Sequence, residues 1–131
     1  AHGIPYAATA SIGYINDFIR KVEKASQIRG TKYIHVIAPC PTGWGCGVDE
    51  TVEIAKEVVD CGLWYLAEYE GEEQCGAPGG KFTLNRNPKE FTSVEGYLRH
   101  QTRFRALTEQ DIDAVTSGRD AKWEVMRRDW L

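Results

Sequence analysis

The chain has 131 residues, 42% of them hydrophobic and 27% charged, and carries a formal net charge of −3. That length suffices for one domain with a real core, and the lack of a basic stripe argues against nucleic acid or an anionic membrane as a partner. No apolar run approaches the ~18 residues of a membrane span, and no signal-peptide pattern is present.

The predicted elements alternate. Residues 4-IPYAATAS-11 read as a short buried strand ending in small residues, and Gly13 then permits a tight connection. From 15 to 29 the apolar positions Ile15, Phe18, Ile19, Val22, Ala25 and Ile28 follow the i, i+3, i+4, i+7 spacing of a one-faced helix. Asn16 or Asp17 can cap its start, and Gly30 suits its C-terminal stop. The run 33-YIHVIA-38 is continuously apolar with β-branched residues, the pattern of a strand covered on both faces. Strand, helix and strand within about 35 residues make a βαβ unit, which implies parallel strands and a right-handed crossover.

A second helix is expected from 50 to 61, with Asp49 as cap, Val52, Ala55, Val58 and Val59 inward, and Gly62 as stop. A third strand follows at 63-LWYLAEY-69. The Gly- and Pro-rich segment 70–90, with a short extended piece at 81-KFTL-84, reads as a surface excursion or an arm onto another subunit. Capping boxes at Thr92-x-x-Glu95 and Thr108-x-x-Asp111 open two helices, and 119-RDAKWEVMRRDWL-131 is amphipathic. The fold class is therefore α/β. Residues 1–70 form part of a doubly wound, mainly parallel sheet, and 71–131 form a C-terminal arm and helical tail packing on other subunits. Three strands that all read as doubly buried look like half of such a domain, and the chain starts Ala-His-Gly rather than with Met. A piece of something longer, or a processed chain, is expected.

The stretch 37-IAPCPTGWGC-46 carries the chemistry. Pro39 and Pro41 flank Cys40, each fixing φ near about −65° and removing a backbone donor. A reactive side chain is thereby held on stiff backbone, just after a strand whose carboxyl end is where α/β sheets gather ligands. The four cysteines, at 40, 46, 61 and 75, include no C-x2-C pair, so a zinc-ribbon signature is absent. Without a secretory signal, a reducing, cytoplasmic compartment with free or metal-bound thiols is expected.

The strings 2-HGIPYAATASIGYINDFIRKV-22, 33-YIHVIAPCPTGWG-45, 52-VEIAKEVVDCGLWYLAEYE-70 and 94-VEGYLRHQTRFRALTEQDI-112 resemble the C-terminal part of the β subunit of 2-oxoacid:ferredoxin oxidoreductases, closest to the pyruvate synthase and 2-oxoisovalerate members. The resemblance implies a thiamine-diphosphate-binding-type fold. It also implies oxidative decarboxylation of pyruvate or a similar 2-oxoacid, with thiamine diphosphate, Mg²⁺ and a [4Fe–4S] cluster that passes electrons to ferredoxin, and coenzyme A as acyl acceptor. Cys40 falls on the family's cluster cysteine in the APC motif. The family's other three cluster cysteines, its GDG-type diphosphate and Mg²⁺ motif and its thiazolium contacts have no counterpart here. The implied partners are the rest of the β subunit and α-, γ- and δ-type subunits. The stretches around Cys46 and Cys75 depart from the family pattern, which leaves a distinct substrate class open, oxalate for example, beside pyruvate and 2-oxoisovalerate. A non-catalytic fragment that keeps only the docking surface is the reading of another class, and a stand-alone flavodoxin-like domain has too few strands and no phosphate loop.

Other residues have bland and functional readings side by side. Cys46 could be an extra ligand or redox thiol, Cys61 reads as core, and Cys75 as an exposed thiol. Trp44 could shield a cluster or simply pack, and Thr42 and Gly43 could donate to cluster sulfurs. Ser11 and Gly13 could face a cofactor or serve a turn. His35 reads as a satisfied core histidine. Arg99, Arg103 and Arg105 could dock a subunit or form a solvated face, and Trp123 and Trp130 read as packing on another subunit.

Overall fold

The computed structural model describes residues 3–130. Ala1, His2 and Leu131, which the quoted terminal stretches include, lie outside the described residues. The elements in order are β1 (Tyr6–Ser11), α1 (Ile15–Gln27), β2 (Lys32–Ile37), α2 (Pro41–Trp44), α3 (Thr51–Asp60), β3 (Ala67–Glu70), α4 (Glu72–Cys75), β4 (Lys81–Leu84), α5 (Val94–Arg99) and α6 (Glu109–Trp130). Short 3₁₀ turns stand at Ile12–Tyr14, Val48–Glu50 and Thr102–Phe104.

The class is α/β. The four strands form one sheet in the order β2-β1-β3-β4. β1 and β2 pair in parallel from Tyr6↔Lys32 to Ser11↔Ile37, as a βαβ unit requires. β3 departs from the expected third parallel strand. It starts at Ala67, not 63, and runs antiparallel to β1, with Tyr6 opposite Glu70. The reason lies at the carboxyl end of β1. The Ser11 hydroxyl donates to the Ala55 carbonyl at 2.6 Å, and a Cβ placed on Gly13 would fall 2.6 Å from the Ala55 carbonyl carbon. α3 is thus clamped backbone to backbone beside that end of the sheet. The chain leaves α3 there and re-enters the sheet from the carboxyl side. β4 then pairs antiparallel with β3, Glu70 opposite Lys81. The segment read as an excursion supplies an edge strand of the same sheet.

α1 is helical where expected but rotated. Ile15, Ile19 and Val22 are 53%, 48% and 46% exposed, while Lys21 and Ala25 are buried. The sheet face beneath α1 explains the rotation. It carries Glu68, which accepts from the Tyr6 hydroxyl at 2.8 Å, from Arg20 at 3.2 Å and from Asn85 at 3.1 Å. Lys24 lies 3.4 Å from Glu68 and 2.8 Å from Glu70. Fully buried Lys21 donates to the Thr9 carbonyl at 2.8 Å and to Asp17 at 2.6 Å. A buried charge requires a partner, so the charged flank of α1 turns inward and Ile15, Ile19 and Val22 turn out, while Ala25 stays buried and Ile28 packs beside it. Asp17 accordingly serves as an ion-pair partner in the first turn and not as a cap.

Burial of the Glu68 carboxyl would raise its pKa. Hydrogen bonds from Tyr6, Asn85 and Arg20, with the Lys24 charge, outweigh that and push it down to about 2. The opposite sheet face presents Ala7, Tyr33, His35, Tyr69 and Phe82, with Tyr33 55% exposed. β2 is therefore uncovered on one face in this chain, contrary to the double burial expected from its sequence.

The main core lies between α3, α5 and α6: Ile54, Val58, Val59, Cys61, Leu66, Val94, Tyr97, Leu98 and Ile112. Val52, expected inward, is 56% exposed. Gly62 ends α3 at φ +79°, as its place in the sequence suggests. Two side chains of α6 finish that end, Arg119 donating to the Cys61 carbonyl at 2.8 Å and Trp123 Nε1 to the Gly62 carbonyl at 2.7 Å. These are carbonyls that the helix cannot satisfy itself. Trp123, 2% exposed and packed on Phe91, therefore belongs to this chain's own core and not to a subunit interface. Trp130 is 54% exposed and rests on Phe82 of β4. The Thr108–Asp111 capping box forms in both directions, at 2.8 and 3.2 Å. At α5, Ser93 and not Thr92 caps, accepting from Gly96 N–H at 3.0 Å.

Candidate functional site

β2 delivers the chain to Cys40 at its carboxyl end. Cys40 is the N-cap residue of α2, with extended backbone (φ −98°, ψ 113°), and Pro41 occupies the first helical turn, where a missing N–H costs nothing. Pro39 is buried and Cys40 is exposed. The turn closes on itself through three hydrogen bonds. Trp44 N–H donates to the Cys40 carbonyl at 2.8 Å, Gly45 N–H to Pro41 at 2.8 Å and Cys46 N–H to Pro41 at 3.2 Å. Gly45 ends the turn at φ +67°, a conformation glycine adopts without steric cost.

The loop is also held from outside, by the stretch that follows α5. Thr102 N–H donates to the Gly45 carbonyl at 3.0 Å, and Thr102 Oγ1 occupies the space a Gly45 Cβ would need. The Arg103 guanidinium lies 3.8 Å from the centre of the Trp44 ring. Its Nε donates to Gln101 Oε1 at 3.0 Å, and the fully buried Gln101 donates in turn to the Tyr97 carbonyl at 2.9 Å. Farther along, Glu50 accepts from Gly47 N–H at 2.6 Å and lies 3.4 Å from His100 Nε2, while His100 Nδ1 meets Glu57 at 2.9 Å. The Glu57 hydrogen bond holds the His100 pKa above its ordinary value, and the Gly47 hydrogen bond followed by His100 lowers that of Glu50.

The sequence-derived candidates separate clearly here. All four cysteines carry free thiols. Cys61 is fully buried, and burial pushes its thiol up to about 11, so it is core. Cys46 and Cys75 are half-buried. Ser11 and Gly13 serve the turn, because the Ser11 hydroxyl is buried between Ala55 and the Gly13 N–H at 3.1 Å. Thr42 and Gly43 are exposed on α2, and a Gly43 Cβ would sit in ordinary contact with Cys40 Sγ at 3.7 Å. Trp44 is packed between the main core and Arg103. His35 is exposed on the open sheet face, edge-on to Trp64 at 4.8 Å, and is not the core histidine expected. Arg103 engages this chain's own Trp44, and Arg99 donates to the Leu107 carbonyl at 3.1 Å. The roles of Gln101, Thr102, His100 and Glu50 in holding the loop were not legible, since these residues lie far from Cys40 in sequence or share no periodicity with it.

An exposed thiol on a hydrogen-bonded turn suits one corner of an iron–sulfur cluster, which takes four thiolates. Among the described residues, no group of three or more His, Cys, Asp or Glu side chains could hold a metal ion. The residues present thus fit a single ligand position.

No family model matches the chain. Curated relatives do. The chain is 42% identical to the ketoisovalerate oxidoreductase subunit VorB of Pyrococcus horikoshii over 130 residues, 98% of this chain and 39% of that protein. It is 41% identical to the pyruvate synthase subunit PorB of Methanocaldococcus jannaschii over 126 residues, 96% of this chain and 40% of that protein. With PorB of Methanothermobacter marburgensis the identity is 46% over 127 residues, 97% and 41% respectively. The chain is homologous to a segment of the PorB and VorB subunits. It spans about two fifths of the length of these relatives. The resemblance read from the APCPTGW string and its flanking blocks is thereby established. No helix among the described residues is long and apolar enough to cross a membrane.

Proposed function

We propose that the chain is the C-terminal part of the β subunit of a 2-oxoacid:ferredoxin oxidoreductase of the pyruvate synthase type, active only within a multi-subunit cytoplasmic complex. The reaction is the oxidative decarboxylation of pyruvate or a similar 2-oxoacid, with coenzyme A as acyl acceptor and ferredoxin as electron acceptor. Thiamine diphosphate with Mg²⁺ supplies the carbon chemistry of such an enzyme, and a [4Fe–4S] cluster supplies the one-electron steps. This chain's own contribution is one thiolate, from Cys40. The remaining ligands and the diphosphate site belong to the rest of the β subunit, and α-, γ- and δ-type subunits complete the assembly.

The observation that carries this reading is the placement of Cys40. Its thiol is exposed at the carboxyl end of a parallel strand, on a turn tied by three backbone hydrogen bonds. That arrangement gives a ligand a fixed position and open access, whereas a packing cysteine would be buried like Cys61. The names of the relatives support pyruvate and 2-oxoisovalerate equally as substrates, and oxalate remains within the same chemistry.

The test is Cys40→Ser in the anaerobically purified complex. Iron and acid-labile sulfide per β subunit should fall while subunit composition is unchanged. Undiminished iron in the variant would contradict the assignment.

A further inference from the structure

The stretch 100–104 touches the Cys40 loop at three separate points, and it is not adjacent to that loop in sequence. Thr102 N–H fixes the Gly45 carbonyl, Arg103 covers the Trp44 ring and His100 holds the carboxylate that binds Gly47 N–H. These contacts follow one another along the loop, from 44 to 47. Arg103 is the member whose geometry is most completely determined. Its Nε is bonded to Gln101, its guanidinium lies 3.8 Å from the Trp44 ring centre and 4.4 Å from that of Phe104, and Gln101 is anchored to α5. An arginine needed only for solubility would not be oriented by a fully buried glutamine. Trp44 N–H in turn donates to the Cys40 carbonyl, so whatever holds Trp44 holds the backbone of Cys40.

We infer that the 100–104 stretch is a brace for the cluster-ligand loop and that Arg103 is a positioning residue acting on Cys40 through Trp44. The inference rests on the reading of Cys40 as a ligand, but the brace can be measured without iron. Arg103 touches Trp44 and not Cys40 itself; held through Trp44, the Cys40 thiolate would have less freedom to move when a cluster is bound.

The experiment is amide hydrogen exchange on the purified complex, wild type against Arg103→Ala and Arg103→Lys. In Arg103→Ala the N–H groups of Trp44, Gly45 and Cys46 should exchange about tenfold faster, the size expected for loss of a partly desolvated cation–π contact. Exchange in α3 should be unchanged. Arg103→Lys keeps the charge and loses the planar fork, and it should fall between the two. In the iron-loaded complex, Arg103→Ala should broaden the EPR signal of the reduced cluster at unchanged iron content. Unchanged exchange at 44–46 would overturn the brace, and so would loosening spread evenly over α3 and α5. If Cys40→Ser retains full iron, the ligand reading fails, and the exchange result still decides whether Arg103 holds the loop.

Discussion

Replacing Glu68 by Gln isolates the charge that rotates α1. Glutamine keeps the size and an acceptor oxygen, so Tyr6 and Asn85 retain partners of a kind, while Arg20 and Lys24 lose their buried counter-charge. The magnitude follows from the carboxyl's pKa, which the fold lowers from 4.5 to about 2. At about 1.4 kcal/mol per unit, this is about 3 kcal/mol of folding stability at neutral pH. Glu68 is only 4% exposed, so solvent screening takes little from that figure. The sign is that of a depressed acid. The stabilisation is present above the unfolded pKa near 4.5 and is lost as pH falls toward about 2. At pH 3.5 roughly 1 kcal/mol should already be gone. The assay is native-state hydrogen exchange at β1 and β3, converted to opening free energies. Wild type should weaken between pH 5 and 3.5, and Glu68→Gln should be weaker at pH 7 and lose less across the acid range. A loss below about 1 kcal/mol with the acid limb intact would refute the claim that Glu68 anchors α1.

Gly13→Ala should cost about 3 kcal/mol or more, because its Cβ would meet the α3 backbone at Ala55 and Lys56; wild-type exchange rates in α3 would contradict the close approach. In cluster-free protein at pH 8, iodoacetamide should label Cys40 readily and leave Cys61 unmodified until unfolding, since Cys61 is fully buried with its thiol pushed up to about 11. Labelling of both at similar rates, read by peptide mass mapping, would show that the α3–α5 core is open.

Much of the molecule was legible where local rules and packing agree. The β1–α1–β2 unit, the stop at Gly62 and the Thr108–Asp111 box follow from spacing, positive-φ glycine and reciprocal capping. The candidate site was legible as far as Cys40, because two flanking prolines constrain backbone whatever the tertiary context. Three features were not. The rotation of α1 is set by Glu68, more than 40 residues away on β3, which helical periodicity cannot register. The reversal of β3 depends on α3 being clamped at the carboxyl end of β1 through Gly13, a tertiary contact invisible in either segment alone. The apolar run in β2 reads as covered on both faces, yet in this chain one face is open. Hydrophobic pattern records what the strand tolerates in its full surroundings, and not which part of the assembly provides the cover.

The central claim is that this chain lends one thiolate to an iron–sulfur cluster in a 2-oxoacid oxidoreductase. It is tested most directly by measuring iron, acid-labile sulfide and the EPR spectrum of the anaerobically purified complex, wild type beside Cys40→Ser. The account predicts iron and sulfide in a 4Fe–4S ratio, co-purifying thiamine diphosphate, and loss or distortion of the reduced-cluster signal in the variant. A complex without iron, or a variant whose iron and spectrum match wild type, would contradict it.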